Sequence, residues 1–249
     1  MIDGHVHLER GPYNIEWIKQ FVNQASQRGI KTIHLLEHSH RFVEFSELYD
    51  EISKYNEYQK DWYGNKAVSS IVDYKKLIQQ VRECEWPINM KFGLEICYVE
   101  GKEKFIKDIK DSFDWDFLTG SVHWIDGWGF DHKAEFWEGR NADDAYMRYY
   151  VIMRHLIKSN LFDTLAHPDS IKCFGYYCSR DLSDTYRELA RLVKNAKMQV
   201  EQSAGLFMNY KHKELGMNKK LLDIMKEFEV DIITTSDAHR PEDVGRYIR

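Results

Sequence analysis

Eleven histidines are spread over the 249 residues, and the spacing of several points to metal chemistry. His5 and His7 flank Val6; in an extended segment residues two apart project to the same side, so both imidazoles can face one ion. Asp237 and His239 repeat that spacing in the run SDAH. His38 and His40, Glu95, His123 and His167 each fall at or just beyond the end of a short apolar run. Imidazoles and carboxylates without thiolates suit borderline first-row ions such as zinc, manganese or iron. Glu95 stands between Leu94 and Ile96, where a buried carboxylate is costly unless a positive group pairs with it. A metal would supply that charge. An HxH pair alone can occur on any polar strand face, so the argument rests on the whole set. Other histidines read differently: His34 lies inside the apolar TIHLL as a core residue, and His155 and His212 read as surface or packing residues. His132 stays open. Asp169, after His167 and Pro168, either orients that histidine or caps a turn.

These groups can act together only if the chain gathers them. Strands are expected near Ile2 and over Thr32 to Leu36, Lys91 to Tyr98, Phe117 to Val122, Thr164 to Ala166, Met198 to Gln202 and Asp231 to Thr235. Between them the apolar spacing predicts helices over Ile15 to Arg28, Ile71 to Cys84, Lys102 to Ile109, Ala142 to Lys158, Asp184 to Ala196 and Lys219 to Phe228. About seven β/α alternations imply a parallel sheet, and periodicity does not choose between an open sheet and a barrel. In either case the C-terminal strand ends share one side, and each strand contributes, Glu201 coming late in the sixth. The stretch from 42 to 63, aromatic and charged, is the longest insertion and is expected to form a helix or lid over the site.

With 43% hydrophobic and 14% aromatic residues the chain can bury a sizeable core as one domain over 1–249. No apolar run approaches a membrane span, and the start MIDGHVHLER lacks a signal-peptide pattern, so a cytoplasmic location without membrane association is expected. Cys84, Cys97, Cys173 and Cys178 form no CxxC pair and read as reduced thiols. A net charge of -5 disfavours a nucleic-acid partner and favours a small substrate.

The segments DGHVH at 3–7, EHSH at 37–40, GLE at 93–95, GSVHWIDGWGFD at 120–131, AHPD at 166–169 and SDAHRPEDVG at 236–245 together resemble the PHP (polymerase and histidinol phosphatase) superfamily. The GSVH segment with its GWGFD continuation is most similar to the histidinol-phosphate phosphatase branch. The resemblance implies an α/β fold, a distorted (β/α)7 barrel with its active site at the C-terminal strand ends, and three divalent metal ions. Carried over residue by residue, it implies one ion held by His5, His7, Glu95 and Asp237, a second by Glu95, His123 and His167, and a third by His38 and His239. Relatives commonly supply another histidine shortly after the HxH, where this chain reads LERGPYN; Glu9 is the oxygen ligand that could replace it. The stretch EQSAGLFMN at 201–209 also lacks the arginine that relatives often carry after GL.

The implied reaction is hydrolysis of L-histidinol phosphate, a small phosphate monoester, by a hydroxide bridging two ions. Asp237 would serve that chemistry as well as ligation, and His40 would contact the phosphate or the leaving oxygen. Arg140, Lys172 and Arg240, near expected strand-end loops, are the candidates for further phosphate contacts. Trp124, Trp128 and Phe174 could stack on an imidazole or simply pack. Two rivals remain: a PHP-type phosphoesterase acting on nucleotides, and a metal-binding regulatory module without catalysis.

Overall fold

The computed structural model describes residues 1–248. In chain order its strands are β1 (Ile2–His7), β2 (Thr32–His38), β3 (Asn89–Cys97), β4 (Phe117–Ser121), β5 (Trp124–Ile125), β6 (Trp128–Gly129), β7 (Thr164–Leu165), β8 (Gln199–Ser203) and β9 (Asp231–Thr235). The helices are α1 (Ile15–Gln27), α2 (Ser46–Lys54), α3 (Glu57–Lys66), α4 (Ile71–Arg82), α5 (Glu103–Asp111), α6 (Ala142–Lys158), α7 (Ser183–Ala196), α8 (Gly205–Tyr210) and α9 (Lys219–Glu227).

Local chemistry sets several boundaries. Asn14, Asn56, Asn141 and Asn218 each precede a helix and accept a hydrogen bond from a first-turn N–H, which satisfies a group the helix itself leaves unpaired. After α1 the chain turns at Gly29, whose φ of 71° favours a residue without Cβ. On α6, Ile152, Met153, Leu156 and Ile157 are all buried, and each such side chain contributes about 1.5–3 kcal/mol by leaving water.

Seven strands form one sheet in the order β1-β2-β3-β4-β7-β8-β9, every pair parallel. The choice that periodicity left open is resolved by the two ends of this sheet. The His7 N–H donates to the Ala238 carbonyl at 2.7 Å, and Val6 bridges Ala238, so the strands close into a distorted (β/α)7 barrel. Asp3, fully buried, reinforces that seam: its carboxylate accepts from the Ser236 N–H at 2.9 Å, the Ser236 hydroxyl at 2.6 Å and the Gly245 N–H at 2.8 Å.

The insertion from 42 to 63 becomes two short helices, α2 and α3, joined by Tyr49 and Tyr63 stacked at 4.9 Å. Gln59, buried on α3, donates to the Ile52 and Gly127 carbonyls at 2.8 Å each and so ties the pair to the β5–β6 hairpin. Among the described residues no helix is long and apolar enough to cross a membrane, and all four cysteines are unpaired.

Candidate metal centre

The strand ends bring ten chemically capable side chains to the C-terminal mouth of the barrel: His5, His7, Glu9, His38, His40, Glu95, His123, His167, Asp237 and His239. Parallel register explains part of this, since His38 pairs with Glu95 across β2 and β3. Glu95, 1% exposed, is the hub. Its Oε2 lies 2.8 Å from His38 Nδ1 and 3.4 Å from both His5 Nε2 and His7 Nε2. Its Oε1 lies 3.1 Å from His123 Nε2 and 3.3 Å from His167 Nε2. Burial pushes the Glu95 carboxyl up, but the charge of the close-lying His38 and hydrogen bonds from His123 and His167 hold it well below the usual carboxylate range. Asp237 lies 3.5 Å from His7 Nε2 and 3.7 Å from His5 Nε2, and although burial opposes it, these neighbours and His239 lower its carboxyl as well.

One carboxylate faced by five imidazoles does not satisfy the polar atoms around it. His7 Nδ1, His40 Nε2, His167 Nδ1 and Glu95 Oε2 are buried without a well-directed hydrogen bond. His5 Nε2 and His7 Nε2 face one another at 2.8 Å, and His38 Nε2 faces His239 Nε2 at 3.4 Å. Burial, together with the neighbouring charges of His38 and His239, keeps His7 well below the ordinary imidazole range, hence neutral with a lone pair free. Four groups of three ligand atoms converge within 4.8 Å: His5, His7 and Asp237; Glu95, His123 and His167; His7, His38 and His239; Glu9, His38 and His40. Divalent cations fit this donor set, because they would take the facing lone pairs and offset the buried carboxylates. Glu9, the residue standing where a histidine was expected, does reach the cluster, with Oε1 3.8 Å from His239 Nε2.

The remaining expected contacts divide. His40 lies in the cluster beside His38, ring centroids 4.5 Å apart, and lines the cleft above the strands. Arg140, Lys172 and Arg240 do not line that cleft. Arg140 sits over the Trp128 ring and donates to the Phe136 carbonyl and the Tyr55 hydroxyl. Lys172 is buried in contacts with Asp169 at 2.6 Å, the Gly216 carbonyl at 2.7 Å and Glu214 at 2.8 Å. Arg240 is exposed beside Glu242. Asp169 neither touches His167 nor caps its turn; it joins Lys172 to Asn218, whose N–H it accepts at 2.7 Å. His34 packs on Phe117 in the core, and burial lowers its pKa to about 4.

Several residues of the site carried no decisive signal in the sequence. The cleft, about 270 Å³, has an aromatic wall of Tyr58 and Trp62 from α3 with Trp124 and His132, and is lined also by Asn209 and Tyr210. Asp131 accepts from His123 Nδ1 at 2.6 Å. Its signal was present in the Asp126–Gly127 turn, where positive φ values of 50° and 82° fold a hairpin back and return residue 131 to residue 123. Gly205 was another: a Cβ there would lie 1.9 Å from Asp237 Oδ2. Gly205→Ala is therefore expected to displace Asp237 and lower kcat/KM by about 100-fold, since an ångström of misplacement can cost that much. Kinetics on p-nitrophenyl phosphate with parallel metal analysis measure this; unchanged kcat/KM and metal content would remove the close packing from the argument.

A closed parallel barrel whose strand ends present histidines and carboxylates defines the chain as a barrel metallohydrolase. More particularly, it belongs to the PHP domain family, whose model matches residues 3–204. A Deinococcus radiodurans protein bearing the name "Probable histidinol-phosphatase" is 29% identical over 198 residues, 74% of this chain and 72% of that one. A Schizosaccharomyces pombe protein of the same name is 21% identical over 241 residues, 92% of this chain and 76% of that one. Among solved structures, histidinol phosphate phosphatase from Lactococcus lactis, in complex with zinc, L-histidinol and phosphate, superposes with a TM-score of 0.71 at 20% identity, covering 96% of this chain and 86% of that one. At that identity the likeness carries the fold.

Proposed function

We propose that this chain is a metal-dependent phosphomonoesterase that converts L-histidinol phosphate to L-histidinol and phosphate, within histidine biosynthesis. The observation that carries the reading is Glu95, a buried carboxylate with five imidazoles around it at the mouth of a PHP-family barrel. The names of the relatives and the ligands of the Lactococcus complex supply the substrate. We read residues 1–249 as one catalytic domain acting in the cytoplasm, with the 42–63 insertion as a lid.

Three divalent ions, zinc, manganese or iron, would be held by His5, His7, Glu95 and Asp237, by Glu95, His123 and His167, and by Glu9, His38 and His239. When bound, such ions activate water at neutral pH and neutralise the charge of a phosphate dianion. The protein's own groups prepare the site for that chemistry. Glu95 and Asp237 stay ionised, so the acceptors need not shed protons first. His40 is kept neutral by burial and by the charge of His38, so its imidazole can donate one hydrogen bond to a phosphate oxygen or the leaving oxygen. Arg140, Lys172 and Arg240 lie outside the cleft, the first two held by other partners, which leaves phosphate contacts to His40, Asn209 and Tyr210 among its lining. Tyr58, Trp62 and Trp124 offer flat faces suited to stacking on an imidazole and help exclude water.

The test is phosphate release from L-histidinol phosphate, p-nitrophenyl phosphate and a panel of nucleotides by metal-loaded protein. The expected result is a kcat/KM for histidinol phosphate at least about 100-fold above the others, consistent with a site that hydrogen-bonds and stacks on its substrate. Equal or better turnover of nucleotides would keep the metal chemistry and replace the substrate.

A further inference from the structure

Glu201 is fully buried, and its two carboxylate oxygens address two different histidines of the cluster. Oε1 lies 2.7 Å from His5 Nδ1, and Oε2 accepts the backbone N–H of His167 at 3.3 Å. The residue sits on β8, one position beyond Val200, where the β7–β8 ladder ends. The Ala166 N–H turns away to the Gly120 carbonyl at 2.9 Å, so the next donor along, that of His167, meets the Glu201 side chain in place of a strand.

The two contacts answer two separate needs. An imidazole can offer Nε2 as a lone pair only if its proton is on Nδ1, and a carboxylate against Nδ1 enforces that tautomer. His5 Nε2 then points at His7 Nε2, Glu95 and Asp237. His167 has no such aid, since its Nδ1 is buried without a partner, and its backbone adopts φ 24°, a conformation that side-chain-bearing residues rarely hold. His123 is steadied by Asp131 and His239 by the Asp237 carbonyl, whereas His167 is steadied through its own N–H.

We infer that Glu201 is a positioning residue that holds His5 in the Nδ1–H tautomer with one oxygen and fixes the His167 turn with the other, coupling two of the candidate ion sites. This rests on the metal reading above and is independent of the substrate. Glutamine at 201 keeps the volume and one acceptor oxygen, but the two donors lie against different oxygens, so the amide oxygen would meet one of them and the N–H₂ group would confront the other. A packing role would therefore survive Glu201→Gln, and the clamp would not.

In the zinc-loaded unaltered chain, histidine-selective nitrogen NMR is expected to show His5 protonated at Nδ1. Competition with a chromophoric chelator is expected to show Glu201→Gln binding zinc about 10–100-fold more weakly, the range typical of losing such a partner. Protonation of His5 at Nε2 would overturn the inference even if the variant fails to fold, and so would a folded Glu201→Gln chain with undiminished zinc affinity. An unaltered chain that binds no zinc would overturn the inference together with the metal reading. The expected tautomer and affinity loss in a chain that ignores histidinol phosphate would leave the clamp standing and fail only the proposed substrate.

Discussion

Glu95→Gln is expected to lower turnover of a phosphate monoester by about 100–1,000-fold, a loss on the scale of removing one preorganised electrostatic partner from a water-excluded site. The side chain changes little in shape, so the effect is electrostatic. Glu95 is the one carboxylate shared by His5, His7, His38, His123 and His167, and the amide would present a donor where cations are expected to sit. Zinc or manganese content per chain should fall in parallel, because the same oxygens serve two of the proposed ions. The measurement is steady-state kinetics with metal analysis, and circular dichroism controls for folding. A folded Glu95→Gln chain with turnover within tenfold of the unaltered one would displace Glu95 from the centre of the chemistry.

Chelation is expected to abolish phosphate release and to lower Tm by about 5–10 °C, both reversed by adding back the ion. The Tm figure follows from linkage: an ion present at 100 times its Kd stabilises the folded chain by about 2.7 kcal/mol, and a domain of this size shifts by about 2–4 °C per kcal/mol. The direction follows from the cluster itself, since without cations His7 Nδ1, His167 Nδ1 and Glu95 Oε2 are buried without a well-directed hydrogen bond. Acidification should mimic chelation, because each imidazole must shed its proton to bind a cation. Calorimetry and activity on the same chelated sample check the pair. Full turnover and an unmoved Tm after exhaustive chelation would falsify the metal reading.

Much of this site was legible before any coordinates. Short apolar runs ending in His or Glu mark buried parallel strands whose C-terminal ends carry the candidate ligands, and period 2 in DGHVH and SDAH put paired groups on one side. The apolar spacing bounded α1, α6 and α9 to within a residue or two of where they lie. Glu9 was legible as a substitute because it follows the HxH within one turn of chain. By contrast, α3 was not resolved as a separate helix: its one fully buried side chain is Gln59, so no apolar period announced it, and Tyr58 and Trp62 passed as general aromatic content. Arg140, Lys172 and Arg240 satisfied the rule that cations near strand ends meet phosphate, yet Arg140 lies on the Trp128 ring and the Tyr55 hydroxyl, Lys172 is held by Asp169 three residues before it, and Arg240 lies beside Glu242 outside the cleft.

By itself, the sequence determined the kind of chemistry, the alternation of elements and the strand ends that carry the candidate ligands, because side-chain type and local periodicity are properties of neighbouring residues. Tertiary structure alone decided that the sheet closes at Val6 and Ala238, that Glu201 reaches both His5 and His167, and which cations are already occupied. Those outcomes depend on contacts between residues as far apart as 5 and 201, where competition among partners is settled by packing and no local pattern records the winner.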